Sequence, residues 1–463
     1  MNTPTNIQNR LFAHLDVIAV VTLVAVVYLN VSDILIKQHG LLSINKTMVP
    51  AMLVLAIFYQ FRSQRLSLGL VVSAIASLLY FGYQSSSVLY AEHLEFTQRE
   101  LDVLLKNLII MVTVVGLTLR VKTLELITWA LLGSAAFISV LSILAYLSGD
   151  ISMDFGGLHR WSVDIDLWGR VSTARIGGQI GDPNFFGQVL LLVLPMGLMF
   201  AFNGAPRGKQ IAAAILSGTI IVALVCTMSR GSWLMLIAML AVFAAALYRS
   251  YGQRNSRIRF ALLGIITLAL LSTYFLPEAV KSRFGSMVDN AQQVYTDGVV
   301  TDGAISGRID EMAGALYAFA EHPFLGLGLN NFKPSYQDYS RRMGLTARGR
   351  DRSAHSLYLQ LLAENGAIGL LLFLTLVYVA IRSALYSANH LRSIGSTVDA
   401  YYIYGFLYGY VAYLSAAVFL HSGFPRYFWL ITGILIATLN LVPVTSLFHK
   451  APKKGVHNKE SMA

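Results

Sequence analysis

One histidine and two arginines are the residues of this 463-residue chain best suited by type and setting to chemistry. His355 opens the stretch His355-Ser356-Leu357-Tyr358-Leu359-Gln360-Leu361-Leu362-Ala363-Glu364-Asn365-Gly366-Ala367-Ile368-Gly369, which runs straight into an apolar segment. Arg308 stands in Ser306-Gly307-Arg308-Ile309-Asp310-Glu311-Met312, and Arg230 in Met228-Ser229-Arg230-Gly231-Ser232-Trp233 between two apolar runs. A histidine, with an unperturbed pKa near ~6.5, can take up a proton at neutral pH. Arginine keeps its charge and presents forked donors that match the oxygens of phosphate and carboxylate groups. An arginine at the end of an apolar run can also simply carry its head group to the lipid surface, so residue type alone leaves both readings open.

Other chemistries find no support. The sequence has no Walker loop, no dinucleotide-binding glycine fingerprint and no histidine pair at zinc spacing on one helix. The single cysteine, Cys226, lies inside an apolar run, which excludes an internal disulfide and a cysteine-based metal site. Asp164-Ile165-Asp166 has the D-x-D form that holds a metal–nucleotide pair in many sugar transferases. The pattern is short enough to arise by chance, and it falls on an outward-facing segment where nucleotide sugars are absent. No metal site is expected.

The elements that must position these residues are membrane helices. Apolar and aromatic residues make up 56% of the chain and charged residues 13%, about half the level of a soluble domain. With a mean hydropathy of +0.60, a cytosolic enzyme, a secreted disulfide scaffold and a disordered chain are all excluded. A spanning helix needs about 17 to 25 apolar residues. Twelve such runs are read, centred near 12–30, 47–61, 66–82, 101–119, 124–147, 188–203, 210–228, 232–248, 259–275, 366–381, 400–420 and 427–444. The expected fold is all-α, one polytopic membrane domain over residues 1–463, with the run from Val17 to Leu29 retained as an anchor. The net charge of +11 is mostly a topology signal. With the N-terminus inside, the cytoplasmic segments collect seventeen of the 35 Lys and Arg residues against three acids (Glu125, Asp399 and Glu460), which orients both termini to the cytoplasm. The basic tail, 449–463, anchors that orientation. Arg230 then falls at the outer face, against the charge bias.

Two long segments are left outside, 148–187 and 277–356. Stretches longer than about 15 residues between elements are usually functional or disordered. The second is of mixed composition, and part of it predicts a helix. Ser306 can cap, Asp310 and Glu311 fall in the first turn, Ile309, Met312, Leu316 and Phe319 follow helical spacing, and Pro323 stops it before a turn at Gly326 and Gly328. An amphipathic helix beside the bilayer makes a plausible wall for a site at the membrane surface.

These stretches carry a resemblance. The pattern H-S, nine residues, G-x-x-G is met without a gap from His355 to Gly369. Together with the Arg308 segment, the Ser229-Arg230-Gly231 turn and Gly181-Asp182-Pro183-Asn184, it resembles the O-antigen ligase and polymerase superfamily of bacterial membrane glycosyltransferases, over about residues 170–380. That family expects Leu four residues after the loop arginine; here the position is Met312. The resemblance implies a GT-C-like bundle of about twelve helices with a long periplasmic loop between the ninth and tenth. It implies transfer of a glycan from undecaprenyl pyrophosphate to an acceptor hydroxyl at the periplasmic face of the inner membrane, with no metal and no cofactor. The acceptor is lipid A–core for a ligase, or another carrier-linked glycan for a polymerase of lipopolysaccharide or exopolysaccharide. On the same basis His355 is the catalytic base or acceptor positioner, and Arg230 and Arg308 contact pyrophosphate. Two arginines can supply as preorganised charge what a metal supplies elsewhere.

Further candidates are Arg175 and Asn184, as possible cavity lining. Asp182-Pro183 reads as an N-cap followed by proline at the first helical position, which makes Asn184 structural in that reading. Glu364, nine residues after His355, falls on the opposite face of a helix and is expected to pack or hydrogen-bond within the bundle. His421 and Arg426 are read as interfacial. The competing function is a multi-pass transporter or flippase for an anionic solute or a lipid-linked glycan. Transporters often carry two similar halves, and no internal repeat is visible. A structural subunit of an export complex is a third reading.

Overall fold

The computed structural model describes residues 14–41, 43–62, 66–165, 171–202, 205–251, 303–345, 351–421 and 425–443. The apolar run at 259–275, residues 277–302, Asp166 and the chain ends lie outside the described residues. So does the Asp164 side chain, which leaves the D-x-D motif without a structural account.

Among the described residues the remaining apolar runs are helices. They are α1 (Leu15–Tyr28), followed by the short α2 (Val31–His39), then α3 (Ile44–Arg62), α4 (Leu68–Ser86), α5 (Leu94–Leu117), α6 (Val121–Ser148), α7 (Pro183–Phe202), α8 (Arg207–Cys226) and α9 (Arg230–Tyr251). After the second long segment come α12 (Leu357–Ser393), α13 (Thr397–Ala416) and α14 (Pro425–Ala437). Among the described residues six helices are long and apolar enough to cross a membrane: α3, α4 with the short turn that follows it, α6, α7, α8 and α12. Helix α7 is the axis of the bundle, with every side chain from Phe185 to Leu198 buried. It is apolar all round, as a helix enclosed by others must be. Helices α13, α8 and α6 pack about it.

The segment 148–187 departs from the all-α expectation. It holds a small antiparallel hairpin, β1 (Trp161–Ile165) and β2 (Val171–Ile176), with Ser162 opposite Arg175. The cause is the alternation Trp161, Val163, Ile165 with polar residues between, which favours a strand.

The second segment contains the predicted helix, already formed at Gly303, the first residue described there: α10 (Gly303–Glu321). It ends two residues before Pro323. The apolar stripe read from the sequence, Ile309, Met312, Leu316 and Phe319, is exposed or only partly buried. Gly307, Glu311, Gly314, Ala315 and Ala318 are buried, while Ile309 and Leu316 are exposed. Small residues let a second helix come close, and α11 (Phe332–Arg342) does so, pressing Phe332, Tyr336 and Tyr339 onto α10. The larger apolar residues are left on the outer face, as on a helix lying at a bilayer surface.

Helix α12 begins nine residues before the apolar run centred on 366–381, because the residues after His355 are already helical. It is broken at Gly366, where φ is +61° and ψ −169°. The two helical bonds lost there are replaced by the turn after α10. Ala363 and Glu364 carbonyls accept from Leu327 N and Gly328 N at 2.9 and 2.8 Å. Ala367 N and Ile368 N donate to the Pro323 and Phe324 carbonyls at 2.8 and 3.4 Å. A Cβ on Gly366 would stand 2.2 Å from the Phe324 carbonyl oxygen, so only glycine permits this close approach. The first glycine of the G-x-x-G pattern is thus a docking point for the loop.

Candidate active site

The site forms where α7, α9, α10 and α12 begin, all at one end of the bundle. Asp182 caps α7: its Oδ1 accepts from Asn184 N at 2.7 Å and Phe185 N at 3.1 Å, as the Asp-Pro pair predicts. Asn184 then accepts from Ser229 Oγ at 2.9 Å, tying α7 to the turn that opens α9. In that turn Met228 takes a left-handed φ of +52°, and Ser229 and Ser232 hydroxyls lie 3.0 Å apart. Arg230 is the first residue of α9. A narrow cleft is lined by Asn184, Ser229, Gly231, Ser232 and Arg308 together with the end of α13.

Arg308 is therefore brought to the Ser-Arg-Gly turn from the far side of the loop. Burial holds its guanidinium below the ordinary arginine range, and the positive charges of Arg175 and Arg230 act in the same direction, against Glu311 and Asp182. Arg175 reaches this group from β2. The structure thus gathers Arg175, Arg230, Arg308 and Asn184, which lie up to 133 positions apart in the chain.

His355 joins them through α10. Its Nε2 lies 3.2 Å from Glu311 Oε2, and the Glu311 side chain is almost fully buried. Arg352 Nε stands 3.7 Å from the other oxygen, Glu311 Oε1. His355 itself has a left-handed φ of +47°, which costs energy for a residue with a Cβ and persists only where the surroundings enforce it. Those surroundings include Leu357 N, 2.9 Å from both the Ala417 and Leu420 carbonyls at the end of α13. Burial lowers the His355 pKa to about 4, helped by the charges of Arg308 and Arg352 and opposed by Asp182. The Glu311 carboxylate also pulls upward, but burial and the two arginines outweigh it. The imidazole is neutral at pH 7, with Nε2 in hydrogen-bond reach of a carboxylate.

His421 corrects the sequence reading. It is not an interfacial residue: its ring lies 5.4 Å from that of His355 at 84°, and 5.1 Å from Phe185 at 87°. Burial, with the charges of His355 and Lys333, lowers its pKa to about 3. Arg426 is also partnered within the protein, to Asn30 Oδ1 at 2.5 Å and Asp33 Oδ2 at 2.8 Å, so it ties α14 to α2 and to the turn before it. Glu364 is a buried acceptor for Gln360 Nε2 and Asn330 N at 3.0 and 3.1 Å. Among the described residues no group of three or more His, Cys, Asp or Glu side chains is arranged to hold a metal ion.

Residues 212–374 match the family model described as O-antigen ligase. Over that stretch the chain is similar to the O-antigen ligase family. The match covers about a third of the chain and includes Arg230, Arg308, Glu311, Arg352 and His355. No curated protein matches the chain in sequence.

Within the matched stretch, sequence reasoning missed Glu311 and Arg352. In the sequence Glu311 reads only as a first-turn acid. The signal was its spacing: three residues after Arg308, it shares that residue's face of the helix. Arg352 precedes His355 by three residues, and nothing in its immediate neighbours sets it apart.

Proposed function

We propose that the protein transfers a glycan from undecaprenyl pyrophosphate to an acceptor hydroxyl at the periplasmic membrane surface, as an O-antigen ligase or a polysaccharide polymerase. The observation that carries the reading is the assembly of Arg175, Arg230 and Arg308 beside a neutral His355 that Glu311 contacts. Four arginines, with Arg352, face two carboxylates, Asp182 and Glu311. The surplus positive charge suits a pyrophosphate leaving group, whose charge grows as its bond to the sugar breaks.

With Glu311 facing Nε2, the neutral tautomer carries its proton there, and Nδ1 keeps a lone pair for the acceptor hydroxyl. In the transfer, the acceptor oxygen bonds to the anomeric carbon while the bond from that carbon to pyrophosphate breaks. The hydroxyl proton passes to His355 Nδ1, and Glu311 stabilises the imidazolium. Bound pyrophosphate also offsets the charges of Arg308 and Arg352, which raises the His355 pKa toward that of a useful base.

The orientation that goes with this reading has twelve spans and both termini in the cytoplasm. Charge at the opposite bundle end supports it. There Lys122 and Lys209 pair with Glu125, and Arg120 lies 3.4 Å from Asp16. The test is transfer by purified protein in lipid, from an undecaprenyl-pyrophosphate glycan, with EDTA present. The unmodified protein should be active and His355→Ala should lose about 10²–10⁴ in rate. Full activity in His355→Ala removes the base from the mechanism. Activity lost to EDTA and restored by magnesium or manganese returns the reaction to a metal.

A further inference from the structure

A second space lies near His355, with a lining that shares no residue with the arginine cleft. It is a cavity of about 390 Å³ among α4, α5, α7, α11, α12, α13 and α14, within the size range of ligand sites, about 300–1,000 Å³. It opens at the same bundle end as the active site, since Gln84 closes α4, Arg99 and Glu100 open α5, and Gln360 opens α12. Its wall includes Ser353 and Leu357, which flank His355, and His421, whose ring meets that of His355.

We propose that this cavity holds the terminal sugar of the acceptor, with a hydroxyl directed past His421 toward His355. The inference rests on the glycan-transfer reading and names the site of its second substrate. Three features of the lining point to an uncharged, hydroxyl-rich ligand. Arg99 and Lys333 face Glu100 and the buried Glu364 carboxyl, so the cavity gathers less positive charge than the four-arginine cleft that suits pyrophosphate. Amides from Asn107, Gln188 and Gln360 offer both donors and acceptors. Tyr80 and Trp429 add aromatic surface for the apolar face of a sugar ring. In addition, Gln360 Oε1 and His421 Nδ1 are buried with no hydrogen-bond partner among the described residues. Buried polar atoms are costly to leave unpaired, and hydroxyls of a sugar would satisfy both.

Gln360→Leu and Lys333→Met remove polar groups from two walls while keeping bulk. Both variants are assayed in proteoliposomes against two acceptors, lipid A–core and a carrier-linked glycan, with donor and acceptor titrated separately. Each variant should raise the acceptor KM by about three- to tenfold, the effect of one lost hydrogen bond, while the donor KM stays within about twofold. Whichever acceptor carries the shift identifies the ligand. A donor KM that moves instead assigns the cavity to the donor and overturns the proposal. So does transfer with the acceptor KM unchanged in both variants. No transfer by the unmodified protein with either acceptor overturns the transfer reading and this assignment together.

Discussion

Glu311→Gln changes a single group in the site and gives the sharpest measure of the His355 mechanism. The carboxylate oxygen it replaces stands 3.2 Å from His355 Nε2. At that separation a unit charge pair interacts by about 1.3 kcal/mol in a water-like dielectric and by about 5 kcal/mol at an effective constant of ~20. The imidazolium that forms when the acceptor proton is taken loses stabilisation within that range. Tenfold in rate corresponds to about 1.4 kcal/mol, so the bounds are about tenfold and several thousandfold. The His355 side chain is 25% exposed, which screens the pair. Arg352, 3.7 Å from the same carboxylate, loses its partner too and repels the new charge. Together these place the expected loss near ~10²-fold. The assay is initial-rate glycan transfer in proteoliposomes at saturating donor and acceptor, with folded protein quantified by size exclusion and blot. The pH profile adds a readout that a packing role would not move: without the carboxylate the acidic limb of the rate should shift to lower pH. A Glu311→Gln rate within about threefold of the unmodified protein, with an unchanged profile, refutes the pairing as part of the mechanism.

The arginines make a separate test. Arg308→Lys and Arg230→Lys keep the charge and lose the planar fork, so both should be seriously impaired in transfer if they grip pyrophosphate; wild-type rates in both leave them as anchors of helix ends. Acid should destabilise the fold. His159, His355 and His421 have pKa values lowered to about 4, 4 and 3 against ~6.5 in an unfolded chain. The unfolded state therefore binds protons first, and stability present above pH ~6.5 falls toward pH 4 by about 1.4 kcal/mol per pH unit for each histidine. A thermal midpoint in detergent that is the same at pH 7 and pH 5 contradicts this. Cysteines introduced at exposed positions of α11, such as Asp338, should react with an impermeant reagent from the periplasmic side. Labelling only from the cytoplasm sinks the orientation and the function that depends on it.

The membrane character and the helices were legible because length and apolarity are local properties. The Asp182 cap was legible for the same reason, since Asp, Pro and the amides they serve are neighbours. What the sequence left hidden depends on packing between distant elements. The period of α10 is clear in the sequence, yet the face that packs is not, because hydropathy cannot reveal that a partner helix needs the small residues Gly314, Ala315 and Ala318. The Glu311–His355 contact joins residues 44 positions apart, and the His355–His421 contact joins residues 66 apart. Neither has a local signature. The hairpin in 148–187 was missed because two short strands beside long apolar runs carry little weight in a reading tuned to spans.

The break at Gly366 has a consequence for how the protein tolerates its bilayer. Membrane helices tilt or bend to match local lipid thickness. In an unbroken α12 such a tilt would pass to His355 as a change of height and angle. Here the half-helix from Leu357 to Asn365 is bonded to the Pro323–Gly328 turn, and so to the same loop that supplies Arg308 and Glu311. His355, Glu311 and Arg308 are thereby carried with one bonded unit, and a tilt of the rest of α12 is taken up at the break rather than passed to them.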